Sequence, residues 1–265
     1  MSTKRAPAPA SPTRKRCDRQ TQSRILALTA IEIVVIFGFS AAGAVSQGCL
    51  GIGLALVAGP ALVAIDPAFA PGPLIAVAQV VGVRNVVVER SHTDRQAVGR
   101  CAIGLPFGLA AGLVVLSLVS DEVIALLVGS LAAAGALSLL CGLRIVRSPR
   151  IEVATGAAVG FSSMTAALPG PPFVVTFSDM KPATLRGTVG SVFFMTAVAA
   201  IIGLLATGKF GTYELELIGW LIPGIILGLF LARFVRPFLD RTWFRPAVLL
   251  VALAGGIALI LRQIL

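Results

Sequence analysis

Residues 161–172 read FSSMTAALPGPP and interrupt a long apolar stretch with small polar residues, one glycine and three prolines. Proline inside a helix removes a backbone hydrogen bond and clashes with the preceding turn, so a helix ends or kinks in this segment. A related interruption occurs earlier, where residues 39–53 read FSAAGAVSQGCLGIG. In both copies a Phe-Ser pair precedes a glycine, Gly48 or Gly170, by the same interval. Two interrupted apolar segments at corresponding places predict a transporter-like site between two halves of the chain.

The composition excludes an ordinary soluble domain. Of the 265 residues, 57% are hydrophobic and 13% are charged, and the mean hydropathy is +0.94, whereas a soluble domain carries roughly a quarter charged residues. Several apolar stretches reach the roughly 20 residues that a helix needs to cross about 30 Å of hydrocarbon. Their length and their abundant Gly, Ala and Ser disfavour a β-barrel, whose strands would be about ten residues long. The sequence therefore predicts an all-α membrane protein, a polytopic helical bundle.

The charged residues predict how the chain is threaded through the membrane. Residues 1–24 contain seven basic side chains and one acidic one among Ala, Pro and Ser, a composition typical of a disordered cytoplasmic tail. Lys and Arg accumulate in cytoplasmic loops. By this criterion the inside loops are 84–100, 144–150 and 233–245, and the outside loops are 120–122 and 207–216.

This alternation predicts two repeats of inverted orientation, residues 25–146 and 147–265. About seven full spans plus one broken or re-entrant helix in each repeat satisfy the pattern, and about nine spans result if both broken helices cross fully. The spacing Gly-x-x-x-Gly recurs at 108–112 and 224–228. Such spacing lets helices approach closely, so it predicts packing inside the bundle, with homodimerisation as a second interpretation.

The two interruptions are also the predicted binding site. An interrupted helix in lipid exposes backbone groups, each costing several kcal/mol unless it is buried in protein or lines a wet cavity. The N-terminus of a half-helix offers N–H donors and about half a positive charge, which suits an anion. The candidate substrate-binding residues are Ser40, Gly43, Ser46, Gln47, Gly48, Cys49, Gly51, Ser162, Ser163, Thr165, Gly170, Arg186 and Thr188. The alternative is that the hydroxyl groups bond carbonyls of their own helices, and that Arg186 is a membrane-interface anchor.

Two ionisable residues within apolar runs are candidates for coupling transport to an ion gradient. Glu32 lies about a third of the way into the first predicted span, and Arg84 lies in the run that ends at Val88. Ionisable groups inside spans are functional candidates by default. Alternatively, Glu32 and Arg84 pair with each other for structural reasons.

Other function classes lack their sequence signals. The chain contains no nucleotide-binding Gly-Lys-Ser/Thr motif and no nucleophile and base in a known catalytic order. Its four cysteines are scattered, which predicts no disulfide framework and no metal site. The net charge of +10 resides in the tail and short loops rather than in a basic soluble module, so nucleic acid is not an expected partner. We expect no enzyme activity and no cofactor, and we expect the lipid bilayer and a small anion as partners.

Three motifs carry a family resemblance: the Gly-rich segment from Gly43 to Gly53 followed by Pro60, the loop ending in Asp94-Arg95 before a span with Gly108 and Gly112, and the second-half Gly-Pro followed by Arg186-Gly187-Thr188. On these motifs the chain resembles the sulfite exporter TauE/SafE family of small membrane permeases. The resemblance implies export of sulfur-containing or organic anions, such as sulfite or sulfonates, without ATP hydrolysis and with the proton gradient as a candidate driving force. Separately, the bias of the composition toward Ala, Gly, Val and Arg suits a bacterial inner membrane. The first interruption departs from the family's usual consecutive glycines. The alternative function is a structural or assembly subunit that transports nothing.

Overall fold

The computed structural model describes residues 29–50, 53–88, 90–235 and 244–265, and every regular element in these ranges is helical. The ten α-helices are α1 (Ala30–Leu50), α2 (Leu54–Ile65), α3 (Gly72–Val88), α4 (Arg95–Leu118), α5 (Asp121–Leu140), α6 (Pro149–Ala166), α7 (Gly170–Phe177), α8 (Pro182–Ala206), α9 (Thr212–Val235) and α10 (Phe244–Ile264). Short 3₁₀ turns, Pro67–Phe69 and Arg90–His92, precede α3 and α4. The prediction of an all-α bundle is confirmed.

Six of these helices are long and apolar enough to cross a membrane. They contain the segments Ala30–Cys49, Arg95–Leu118, Asp121–Leu140, Ala183–Ala206, Thr212–Phe234 and Pro246–Ile264. The helices α2 and α7 have 12 and 8 residues and reach only about 18 and 12 Å at 1.5 Å per residue. The chain is therefore a multi-pass membrane protein. Six such helices among the described residues do not confirm the seven to nine segments that the sequence predicts, and that count stays a prediction.

The second interruption turns the chain back on itself. The helix α6 ends at Ala167, which has a left-handed backbone (φ 57°) and donates its amide to the carbonyl of Ser163 at 2.9 Å. After this turn α7 runs back along α6. The hydroxyl group of Thr155 on α6 therefore lies only 2.8 Å from that of Thr176 on α7. The pair α6–α7 is therefore a helical hairpin, which we call the second hairpin.

The first interruption produces the same reversal with different residues. Gly53 has a backbone φ of 137°, a conformation that glycine adopts readily and other residues do not. The helix α2 then folds back along α1, so that a Cβ on Gly43 would lie 2.9 Å from the carbonyl oxygen of Leu54 and 3.3 Å from Ala58. We call α1–α2 the first hairpin.

Glycines form the closest helix crossing, which joins α4 to α6. A Cβ on Gly104 would collide with the carbonyl of Val153, and one on Gly108 would collide with the carbonyl of Ala157. Gly112 continues the same seam. The contacts advance in the same direction along both helices, so α4 and α6 run parallel.

A matching crossing joins α9 to α1. A Cβ on Gly224 would lie 2.7 Å from the carbonyl oxygen of Phe37, and one on Gly228 would collide with the carbonyl of Ala41. These helices also run parallel. The Gly-x-x-x-Gly spacing therefore serves packing inside the bundle at both places, as the sequence predicts.

The loops gather at two ends of the bundle. At one end Arg147, which precedes α6, pairs with Asp94 at 3.3 Å and with Asp179 at 3.6 Å. We call this end of the bundle the arginine-rich end. At the opposite end the ammonium group of Lys209 donates to the carbonyl of Leu116, 2.8 Å away. Because α1 runs parallel to α9, the start of α1 lies at this opposite end.

The apolar core runs through the middle of the bundle. Its main cluster takes side chains from all ten helices. A second cluster joins α4, α6, α7 and α8, with Phe173, Phe177 and Phe193 among its members. Together these clusters hold the two hairpins against the longer helices.

Candidate functional site

A cavity of about 50 Å³ lies where the two hairpins meet. One water molecule needs roughly 10–15 Å³ by this measure, so the cavity has room for a few waters or one small ion. Its walls come from both interruptions and from α3 and α8. None of the described residues that line the cavity carries a charge, and the polar side chains among them are Gln47, Gln79, Ser163 and Thr196.

Two residues that line this cavity carry a polar atom without a partner. The Ser163 hydroxyl and the Gln79 side-chain oxygen are buried, and neither has a hydrogen-bond partner among the described residues. Ser163 itself is 1% exposed. A buried polar group without a partner costs about 1–3 kcal/mol, so such groups normally bind water or a ligand. Ser163 lies on α6 and Gln79 on α3, so a ligand bound to both would join two different helices.

The helix N-terminus at the first interruption adds backbone donors. Gln47 accepts a hydrogen bond from the amide of Leu54 at 3.1 Å and so fixes the start of α2. The next two amides, of Ala55 and Leu56, lie in the first turn, where no carbonyl of the same helix can accept them. Both residues line the cavity. An acceptor in the cavity would find two backbone N–H groups there.

The N-terminus of α7 differs from this arrangement. Its second and third residues are Pro171 and Pro172, which have no N–H group. Gly170 lines the cavity and carries the amide of the first helical position. The sequence predicts N–H donors at the start of both interrupted helices; at α7 only Gly170 among the first three helical positions has an N–H group to offer.

The predicted residues of the first interruption divide between the cavity and helix interfaces. Gln47 lines the cavity. Gly43 lies in the contact between α1 and α2, and Gly48 and Cys49 lie against Ala232 of α9. In the described structure these three residues contact neighbouring helices.

The predicted serines of the first interruption are also away from the cavity lining. Ser40 lies in the crossing of α1 with α9, beside Gly224, and Ser46 packs beneath Gly53. Both hydroxyl groups are buried without a partner among the described residues. Gly51 lies outside the described residues.

The predicted residues of the second interruption divide in the same way. Ser163 and Gly170 line the cavity. Ser162 donates to the carbonyl of Val159 at 3.3 Å, and Thr165 donates to that of Phe161 at 2.8 Å. For these two hydroxyl groups the alternative of bonding within the helix is the one observed.

The remaining two candidates, Arg186 and Thr188, lie at the arginine-rich end. Thr188 accepts a hydrogen bond from the amide of Asp94 at 3.1 Å and donates to the carbonyl of Thr184 at 2.7 Å. Arg186 is exposed in the first turns of α8. Neither residue lines the cavity.

Of the two coupling candidates, the structure describes the side chain of Glu32 alone. Glu32 lies in the first turn of α1, where its carboxylate accepts hydrogen bonds from the amide and the hydroxyl of Thr29 at 2.8 and 2.9 Å. This is the geometry of a capping box, and it corrects the placement of Glu32 a third of the way into a span. Arg84 belongs to α3, and its side chain lies outside the described part of the chain.

Most residues of the cavity wall, Gly53, Gln79 and Phe193 among them, were not among the candidate substrate-binding residues. For Gln79 a signal existed, because it is a polar residue in an otherwise apolar run. Nothing in the sequence pattern distinguishes Phe193 from the other apolar residues of α8.

A polytopic helical bundle with an uncharged cavity between two interrupted helices has the architecture of a membrane permease. The model of the family described as Sulfite exporter TauE/SafE matches residues 35–259 of this chain. The chain belongs to that family. No curated protein and no solved structure matches it.

Proposed function

We propose that the chain is a secondary transporter that exports small sulfur-containing or organic anions, such as sulfite or sulfonates, across a bacterial inner membrane. The observation that carries this proposal is that Ser163 and Gln79, which line one cavity between the two hairpins, each carry a buried polar atom without a partner among the described residues. Family membership supports sulfur-containing anions and outward transport.

The chemistry of the cavity suits an anion that must be released again. The amides of Ala55 and Leu56 and the hydroxyl of Ser163 are donors. The side-chain amide of Gln79 can also act as a donor. A 180° rotation of this group exchanges its oxygen and its NH₂, and the two orientations have nearly the same shape. A cation in the wall would hold an anion more tightly than a permease requires, whereas neutral donors give a weaker site.

Two inverted repeats are part of this proposal. The crossing of α4 with α6 corresponds to that of α9 with α1, and α3 packs with α8 as α5 packs with α10. If α1–α5 are exchanged in order with α6–α10, the same set of helix pairs results. In each crossing, glycines one helical turn apart meet successive turns of the partner helix: Gly104, Gly108 and Gly112 in the first, and Gly224 and Gly228 in the second. This symmetry supports repeats at 25–146 and 147–265.

The arginine-rich end should face the cytoplasm, because Lys and Arg accumulate on that side. Cys141 is exposed at this end, and Ser120 lies between α4 and α5 at the opposite end. We expect a membrane-impermeant thiol reagent to label Cys141 only in inside-out vesicles and a Ser120→Cys variant only in right-side-out vesicles. The opposite result would reverse the proposed orientation.

The side of the membrane on which the N-terminal tail lies requires a separate labelling experiment. The basic residues of the tail predict the cytoplasm, whereas the start of α1 lies at the end opposite to the arginine-rich loops. Cys17 lies in the tail and can be labelled in the same vesicles once Cys141 is replaced by serine. Labelling of Cys17 only from outside would overturn a cytoplasmic tail.

Removing the Ser163 hydroxyl should weaken substrate binding. We expect Ser163→Ala to lower the rate of sulfite counterflow in proteoliposomes about tenfold at low substrate, because one hydrogen bond to a charged group contributes roughly 1.5–3 kcal/mol. Thr196→Val is a matched control, since the Thr196 hydroxyl lies in the same wall but donates to the carbonyl of Val192 at 2.7 Å. Equal losses in both variants, or no uptake of any anion by folded wild-type protein, would contradict the proposal.

Proton coupling by Glu32 or Arg84 stays a prediction. The capping position of Glu32 favours the structural interpretation of that residue. Homodimerisation stays a prediction as well.

A further inference from the structure

We propose that Arg147 is the latch of an inner gate, which closes the central cavity toward the arginine-rich end and must open for an ion to pass that way. The inference rests on the proposed function, because a gate presupposes a permease. It assigns a role in the transport cycle to a residue outside the cavity.

One guanidinium group connects three structural elements. Arg147 lies 2.8 Å from Glu152 of α6, 3.3 Å from Asp94 before α4 and 3.6 Å from Asp179 after α7. Both arms of the second hairpin are therefore tied to each other and to α4 through a single side chain. Separating the arms requires these contacts to break.

The centre of this network is buried. Glu152 is 2% exposed and also pairs with Arg100 of α4 at 2.9 Å. A buried carboxylate that loses a partner is strongly destabilised, so Glu152 holds its two arginines firmly. The pKa of Arg147 is raised: burial lowers it, but the hydrogen bond to Glu152 and the charge of Asp179 outweigh burial. Arg147 therefore stays charged, and the latch opens by movement rather than by loss of that proton.

The network extends to α8. The amide of Asp94 donates to the hydroxyl of Thr188 at 3.1 Å, while its carboxylate caps α4 by accepting from the amides of Gln96 and Ala97. The residue after Thr188, Val189, lines the cavity. A rearrangement of the network would thus reach the cavity wall through α8 as well as through the hairpin.

An aromatic stack fills the space between the latch and the cavity. The Arg147 guanidinium lies 5.0 Å from the centre of the Phe177 ring. Phe177 stacks on Phe173 at 4.4 Å, and Phe173 meets Phe193 edge to face at 5.7 Å. Phe193 is part of the cavity wall. The three rings are buried and form a continuous chain of contacts from Arg147 to the cavity wall, which we take as the closed part of the gate.

The opposite end is held by contacts of a different kind. There the end of α2 is joined to α9 by a hydrogen bond from the Tyr213 hydroxyl to Asp66 and to α10 by one from the Arg262 guanidinium to the carbonyl of Ala64. The network around Glu152 differs from these contacts because its central carboxylate is buried and paired with two arginines.

The test measures access to the cavity and needs no substrate. Ala197 lines the cavity and is 2% exposed, so Ala197→Cys, in a background without the four native cysteines, serves as the reporter. Its labelling by a small impermeant thiol reagent is followed from the arginine-rich face. We expect Arg147→Gln to raise the labelling rate at least tenfold. Arg150→Gln, which changes an exposed arginine at the start of α6, should leave the rate unchanged.

A second variant tests the same contact with less risk of unfolding the protein. Asp179 is 61% exposed and contacts Arg147 from the α7 arm, so Asp179→Asn loosens one arm without leaving a buried charge unpaired. We expect a smaller rise in labelling, by a few-fold. Unchanged labelling in Arg147→Gln and Asp179→Asn would overturn the latch, whatever counterflow shows. Absence of counterflow would overturn the proposed function separately.

Discussion

Replacing Gly108 with alanine should lower the apparent melting temperature of the purified protein by about 5–10 °C. The new Cβ would collide with the backbone carbonyl of Ala157 on α6. Because that atom belongs to a rigid helix rather than to a flexible side chain, α4 and α6 must separate. Overpacking of this kind costs about 1–3 kcal/mol, and each kcal/mol shifts the midpoint by roughly 2–4 °C in a chain of this size.

Gly99→Ala is a matched control for this substitution. Gly99 belongs to the same helix, and a Cβ there would meet nothing within 4 Å. Alanine has a higher helix propensity than glycine by up to about 1 kcal/mol, so Gly99→Ala should leave the melting temperature unchanged or raise it slightly. A fall of equal size in both variants would show that glycine flexibility, and not close packing, is what α4 requires.

The same substitution in the other crossing tests the proposed symmetry. Gly228 meets the carbonyl of Ala41 as Gly108 meets that of Ala157. Gly228→Ala should therefore destabilise the protein by a similar amount. A much smaller effect would mean that the two crossings are not equivalent in energy, which would weaken the proposal of two repeats.

The fold class followed from sequence because it depends on bulk properties. Long uncharged stretches permit few structures in a membrane other than helices, and the small-residue spacing predicted close crossings that the structure contains. The interruptions were also visible, because Gly and Pro act on the local backbone. None of these inferences needs knowledge of distant contacts.

The register of the two halves could not be read from matching residue types. The sequence pairs Gly48 with Gly170, but Gly48 lies in the last turn of α1, whereas Gly170 begins α7. The two reversals use different chemistry: Gly53 with a positive φ makes the first, and left-handed Ala167 followed by proline makes the second. Equivalent positions therefore carry different residues, and similar residues occupy different positions.

The charged network at the arginine-rich end was beyond sequence reasoning for another reason. Arg147, Glu152 and Asp94 appear in the sequence as ordinary loop and helix-end charges. Their importance comes from burial and from the approach of helices far apart in the chain. Glu32, which looked like the most deeply placed carboxylate, is a helix cap, while Glu152 is the buried one.

Replacing Gly53 with alanine should reduce anion counterflow roughly 100-fold while the protein remains folded. The backbone φ of 137° is strained for any residue with a Cβ, at about 1–3 kcal/mol. The added methyl group would also collide with the Ser46 hydroxyl. Relief of either strain moves the start of α2, which breaks the bond from Leu54 to Gln47 and displaces the backbone donors from the cavity.

A second variant separates the two causes of this loss. In Ser46→Ala/Gly53→Ala the colliding oxygen is absent but the φ strain remains, so we expect partial recovery of counterflow, by about tenfold if each cause contributes roughly 1.4 kcal/mol. Gly38→Ala in α1, where a Cβ would meet nothing within 4 Å, should transport like the wild type. Size-exclusion chromatography checks that each variant is folded. Full activity of Gly53→Ala would mean that the backbone at the start of α2 does not contribute to substrate binding, and the donors for the anion would then have to come from Ser163 and Gln79 alone.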